Sequence, residues 1–245
     1  MKRTFFFLAC LVMALGMQAQ VFRNTDAGLT KIATIDHPSG WITFKSDTPV
    51  QADAVFTQHK SAFGLGQSDE MQISRSENDR IGLRHDRYQQ YFQGVPVMGA
   101  EFLVHSRAGV AINANGKIVR GLNVNTTPAI SGQEAIEKAV AFTAASRYMW
   151  EDEANNNMLR HITGDQSATY YPEAELMLMD RGFGTDAKAY RLVWKVNVYA
   201  EVPISYRDIF IDAQSGAVYH TLNRLLSDDV PGTARSEEHT SELQS

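Results

Sequence analysis

The chain has 245 residues, with 23 Lys+Arg against 28 Asp+Glu and a formal net charge of −5. That length allows one large domain or two small ones, and the mild acidity argues against nucleic acid or an anionic membrane as the partner. The single cysteine, Cys10, sits in the N-terminal segment, so the rest of the chain must be stable without disulfides.

Residues 1–20, MKRTFFFLACLVMALGMQAQ, have a basic start at Lys2 and Arg3, an apolar run over 5–17 and a small residue at Ala19. This is the pattern of a secretory signal peptide; the run is too short and wrongly flanked for a spanning helix. A secreted protein is expected, with no membrane association after signal cleavage. Residues 41–44 then read as a short strand. Over 51–63 the period changes: Phe56, His59, Lys60 and Phe63 fall at i, i+3, i+4 and i+7 before Gly64, which predicts a helix. His59 reads as a packed helix residue, since no second ligand lies one turn away.

From 69 to 123 the period is two. Residues 71–74, 84–92, 97–106, 110–115 and 117–122 read as strands, separated by the turns QGVP, RAG and NANG. The polar stretch 123–132 is the best internal boundary. A helix follows: Ser131 and Glu134 have capping-box spacing, and Ile136, Ala139, Val140 and Thr143 share a face. The charged run WEDEANNN is expected to end it. Residues 174–179, 189–200 and 207–222 read as strands, the last broken by a DAQSG turn. The expected fold is α+β, with two modules over 21–125 and 126–223, each a helix packed on an antiparallel sheet.

No His-Glu-x-x-His, cysteine cluster, P-loop or Gly-x-Ser-x-Gly is present. His37, His59, His85, His105, His161 and His220 are scattered. His85 and His105 lie on neighbouring predicted strands, where cross-strand pairing on a wet face is a simpler reading than a metal site. The carboxylate pairs Glu151/Glu153 and Asp228/Asp229 read as solvated loop charge. No catalytic residue and no metal ligand is assigned.

One stretch is more specific: Arg87-Tyr88-Gln89-Gln90, then Gly94-Val95-Pro96-Val97, the small pair Gly99-Ala100, and Val104-His105. In this order it resembles the propeptide module of the fungalysin/thermolysin proteases. Residues 126–223 resemble the PepSY module that follows it in such precursors, through the helix from Ser131, the LVWKVNV strand and the IDAQSGAVYH hairpin. The resemblance implies a pro-region that chaperones and inhibits a metalloprotease catalytic domain in cis and is then removed by proteolysis. Zinc, with calcium as a further candidate, would belong to that domain, and no cofactor to the chain in hand. The full-length parent would be a zinc-dependent metalloendopeptidase. Arg224, Leu225 and Leu226 become the expected processing junction, with 224–234 leading into the protease. The alternative is a stand-alone exported PepSY-type inhibitor or binding protein. Residues 235–245, RSEEHTSELQS, back-translate codon by codon into a common sequencing adapter and are set aside from the fold.

Overall fold

A computed structural model describes residues 27–35 and 40–225. The signal-like segment 1–20, His37, Leu226, the rest of the expected junction and the adapter-like residues 235–245 lie outside them.

The first half contains a short helix α1 (Leu29–Ile32) and strands β1 (Ala33–Ile35), β2 (Ile42–Phe44), β3 (Asp69–Asn78), β4 (Arg84–Phe92), β5 (Val95–Arg107) and β6 (Val110–Gly116). The second has α2 (Gly132–Thr143), β7 (Arg147–Tyr148), α3 (Glu153–Thr163), β8 (Ala174–Met179), β9 (Arg191–Val202), β10 (Ser205–Asp212) and β11 (Val218–Asn223). The strands run β1-β2-β6-β5-β8-β9-β10-β11, with β4 and then β3 on the other side of β5 and β7 beside β9. Pairing is antiparallel except for β5 with β8, which meet in parallel at Val97 and Leu178. The fold is α+β, rich in sheet.

The expected pair of helix-on-sheet modules is realised only in the second half. There the capping box forms as its spacing predicts: Ser131 Oγ accepts from the Glu134 N–H at 3.2 Å, and Glu134 Oε2 accepts from the Ser131 N–H at 2.7 Å. Ala135, Ile136 and Ala139 of α2 are buried against Val196, Val198, Ile209 and Ile211. Between residues 51 and 63 no α-helix forms. Two 3₁₀ turns (Ala52–Ala54 and Lys60–Phe63) stand in its place. Gln51 is tied to Val110 as a β-bridge, and Val50, Val55, Phe56 and Phe63 are all buried. Three successive residues, Ala54, Val55 and Phe56, are buried, a wider arc than one helix face covers, and the segment wraps around its core in tight turns. Phe56 meets Phe63, Tyr88 and Phe102 in tilted or edge-on contacts, with centroids 4.9–5.7 Å apart.

Two further expectations fail. Residues 117–122 form no strand. The charged run does not end the helical region either; it opens α3, capped by Asp152, whose side chain accepts from the Ala154 N–H at 2.9 Å. The one buried residue of α3 is Asn156, while Met158 and Ile162 face solvent. Ala154, Met158 and Ile162 lie at i, i+4 and i+8, a helical signal that the sequence did carry, but that face is exposed and packs on no core.

The halves share apolar packing as well as β5. Phe92, Val95, Val97, Ala100, Val119 and Leu122 form one buried cluster with Leu178, Tyr190, Leu192 and Ala213.

Candidate functional site

The β4–β5 hairpin gathers the whole ordered motif singled out above. Its turn is Gln93-Gly94, at φ 50° and 78°, the left-handed pair that a type I′ hairpin needs. Along β4, Asp86, Tyr88, Gln90 and Phe92 face inward, and Arg87 and Gln89 face out. Along β5 the inward set is Val95 and Val97, then Ala100, Phe102 and Val104. An irregularity around Gly99, at φ 70°, sets the four residues Val97 to Ala100 of β5 opposite the single Gln90 of β4, an odd excess that switches parity. Pro96 lies opposite Tyr91, next to the turn, and Val97 makes the contact with β8.

The two glutamines have separate tasks. Half-buried Gln89 donates through its Nε2 to the carbonyls of Val97 at 2.7 Å, Gln90 at 2.9 Å and Ala100 at 3.3 Å, groups that the irregularity draws out of the ladder. Gln90 is fully buried. Its Oε1 accepts from the Val119 N–H at 2.8 Å, and its Nε2 donates to Val119 O at 2.7 Å and to Asp69 Oδ1 at 3.0 Å. A side-chain amide thus takes the place of a strand partner for residues 117–122. This is why that segment lies extended without joining the sheet. Asp69, also buried, accepts from the Gly66 N–H at 2.7 Å on its other oxygen.

The remaining motif residues are simpler. Arg87 pairs with Glu101 across the strands at 2.8 Å, on an exposed face. Tyr88 donates from its hydroxyl to Ala52 O at 3.3 Å, and burial pushes its phenol up to about 12.

His105 sits opposite His85 in the strand register, with Nδ1 to Nδ1 at 2.5 Å. Trp41 stacks on the His105 ring, with centroids 5.7 Å apart, and His85 Nε2 lies 3.3 Å from Asp79 Oδ2. Such a contact holds one shared proton; a second would set N–H against N–H. Among the described residues, no group of three or more His, Cys, Asp or Glu is placed to hold a metal ion. Burial holds the His105 pKa below the usual 6.5, the His85 charge adds to that depression, and Asn115 opposes it. Because the native state disfavours the charged ring, the unfolded chain binds more protons below pH 6.5. Stability is expected to fall as pH drops through that value toward the lower native pKa. Thermal melts from pH 7.5 to 5 should show a smaller loss for His105→Phe than for the parent; equal slopes would assign the acid loss elsewhere.

The junction residues lie apart from the hairpin, where the chain leaves β11. Arg224 is anchored: its N–H donates to Tyr206 O at 2.8 Å, and its guanidinium holds the wholly buried Asp208, with Nε to Oδ2 at 2.6 Å. Asn197 donates to the other carboxylate oxygen. Leu225, the next residue, is exposed. Sequence reading missed Asp208 and Asn197, although a lone acid within the apolar run of β10 was a usable signal for a buried partner.

The sequence comparisons bear on the hairpin first. Residues 69–118 match the Fungalysin/Thermolysin Propeptide Motif. The match begins at Asp69 and ends one residue before Val119, so it holds the whole ordered motif, both glutamines included. The chain is also 25% identical over 158 residues to the thermostable neutral protease NprT of Geobacillus stearothermophilus. That alignment covers 64% of this chain and 26% of the relative, so the chain spans about a quarter of that protein. Among solved structures, the Bacillus megaterium YpeB C-terminal domain aligns at 14% identity and a TM-score of 0.35, over 75% of this chain and 70% of that one. No helix among the described residues is long and apolar enough to cross a membrane.

Proposed function

We propose that the chain is the pro-region of a secreted, thermolysin-like zinc metalloendopeptidase. It acts as an intramolecular chaperone and inhibitor of a catalytic domain that follows in cis, and is removed by proteolysis near Arg224–Leu226. The observation that carries this reading is the propeptide motif over residues 69–118, with the 25% identity to a neutral protease in support. Zinc and calcium belong, on this reading, to the catalytic domain, and residues 126–223 are the PepSY-like companion of the motif-bearing half.

The anchored exit suits such a role. Arg224 is held to the sheet while Leu225 is exposed, which presents a fixed point followed by an accessible apolar residue. Thermolysin-like enzymes cut before large apolar residues, so Leu225 and Leu226 are the proposed sites of self-processing.

The test is titration of the purified chain against the mature catalytic domain encoded downstream in the same reading frame. Saturable, near-stoichiometric inhibition is expected. Absence of inhibition, together with failure to assist refolding of that domain, would sink the reading. A reading frame that ends without a His-Glu-x-x-His would favour a stand-alone inhibitor. N-terminal sequencing of the secreted enzyme checks the junction: a mature start upstream of Asn223 or well beyond Ala234 excludes it.

A further inference from the structure

At the end of the sheet away from the Arg224 exit, the β8–β9 loop and the β10–β11 turn enclose a pocket of about 450 Å³. Three cations line it: Arg181, Lys188 and Arg191. Its floor is Tyr219, the extra residue of a β-bulge in β11 opposite Phe210 and Ile211. The bulge lets that ring pack over the buried Met177, Met179, Val193 and Phe210. The Arg181 guanidinium carbon stands 4.3 Å from the ring centroid, and that of Arg191 stands 5.9 Å from the same centroid. One aromatic face therefore gathers two like charges, with Lys188 on the wall.

The two acids of the pocket are committed elsewhere. Asp180 accepts from the N–H groups of Gly182 at 3.1 Å and Gly184 at 2.8 Å, which shapes its loop. Asp212 Oδ1 accepts from the Gln214 N–H and from both the N–H and hydroxyl of Ser215, at 2.7–3.0 Å. Among the described residues, neither Arg181 nor Lys188 forms an ion pair, and Arg191 reaches Asp212 only at 3.9 Å. Three cations against the two carboxylates leave the pocket net positive in a chain of net charge −5, and two of those cations are free of ion pairs among the described residues, which marks a site for an anion from outside. Guanidinium forks match the paired oxygens of a tetrahedral oxyanion, and an ammonium adds a third charged donor.

We propose that this pocket binds a phosphate or sulfate group, gripped between Arg181 and Arg191 above Tyr219 with Lys188 as the third contact. The site is independent of the pro-region reading, since it lies away from the motif hairpin and the junction. The volume exceeds that of a free ion, so the group could arrive as inorganic phosphate or as the headgroup of an anionic lipid, and the two sources are separable.

The test uses the full chain. Inorganic phosphate and sulfate, titrated against chloride at matched ionic strength, are expected to raise the thermal midpoint saturably and to shift the backbone resonances of residues 181–191 and 215–219. The Arg181→Gln/Lys188→Gln variant alters two exposed loop residues and should fold normally, with at least tenfold weaker phosphate binding. Arg191→Gln provides a second, strand-based variant. Sedimentation with phosphatidylglycerol vesicles, against phosphatidylcholine, then assigns the source. Response to free phosphate without sedimentation points to the ion, and sedimentation lost in the variants points to the headgroup. A response to chloride equal to that to phosphate, binding undiminished in the variants, or no response in either arm would overturn the assignment.

Discussion

Replacing Gln90 with leucine is expected to lower stability by about 3–5 kcal/mol, a change read as a fall in urea midpoint. The magnitude follows from what the amide leaves behind. Val119 would keep a buried N–H and a buried C=O with no partner, and Asp69 would lose one of its donors. Each unmet buried group costs about 1–3 kcal/mol, while leucine restores much of the volume, so the loss is one of hydrogen bonding and not of packing. Gln90→Glu separates the two further. It keeps the shape but turns a carboxylate toward Asp69 Oδ1 and Val119 O, both acceptors. The introduced acid would have its native pKa raised, so the variant should be least stable at neutral pH and recover as pH falls. Gln89→Leu should cost less, about 1 kcal/mol, because that amide is half-buried and water can replace it. A loss below about 1 kcal/mol for Gln90→Leu would show that residues 117–122 hold their course without the amide.

Arg224→Ala is expected to cost about 2–4 kcal/mol. Removing one member of a buried ion pair typically costs about 3–5 kcal/mol, and the range is reduced here because the arginine side chain is 46% exposed. The loss comes from Asp208, which stays wholly buried with Asn197 alone to stabilise its charge. Adding Asp208→Asn to Arg224→Ala should therefore restore part of the stability, and the double-mutant cycle should give a clear coupling energy. Additive losses would mean that Arg224 contributes packing alone. The same geometry bears on the proposed processing. A cut after Arg224 would leave the pair on the N-terminal fragment and its sheet intact, whereas a cut before it would strand the buried carboxylate.

Much of this was legible in the residues. The hairpin strands, the capping box of α2 and the strands β8 to β11 follow from period and turn chemistry. The pairing of His85 with His105 follows from strand adjacency, and the residues of one motif proved to share one hairpin. What escaped was decided by tertiary partners, which period does not record. Residues 117–122 alternate like a strand, but their partner is a side chain that sequence spacing cannot supply. Residues 51–63 carry helical spacing, yet burial of three successive residues, Ala54, Val55 and Phe56, overrides it. The helix α3 has apolar residues at helical spacing, Ala154, Met158 and Ile162, but they face solvent and not a core. Arg224 was singled out for its place in the chain, and its role as counter-ion to Asp208 emerged only once β10 and β11 were side by side.

The single parallel contact between Val97 and Leu178 has a mechanical meaning. Because β5 belongs to the ladders on both sides of it, and the Phe92–Leu122 cluster is completed by Leu178, Tyr190 and Ala213, neither half can open without stripping apolar surface from the other. The two halves should therefore melt in one cooperative step, and separating them at residues 125–126 would leave each piece with a bare strand edge and an uncovered remnant of the shared cluster. A body of this kind yields as a whole. Once any part of it gives way, all of it becomes open to proteolysis together.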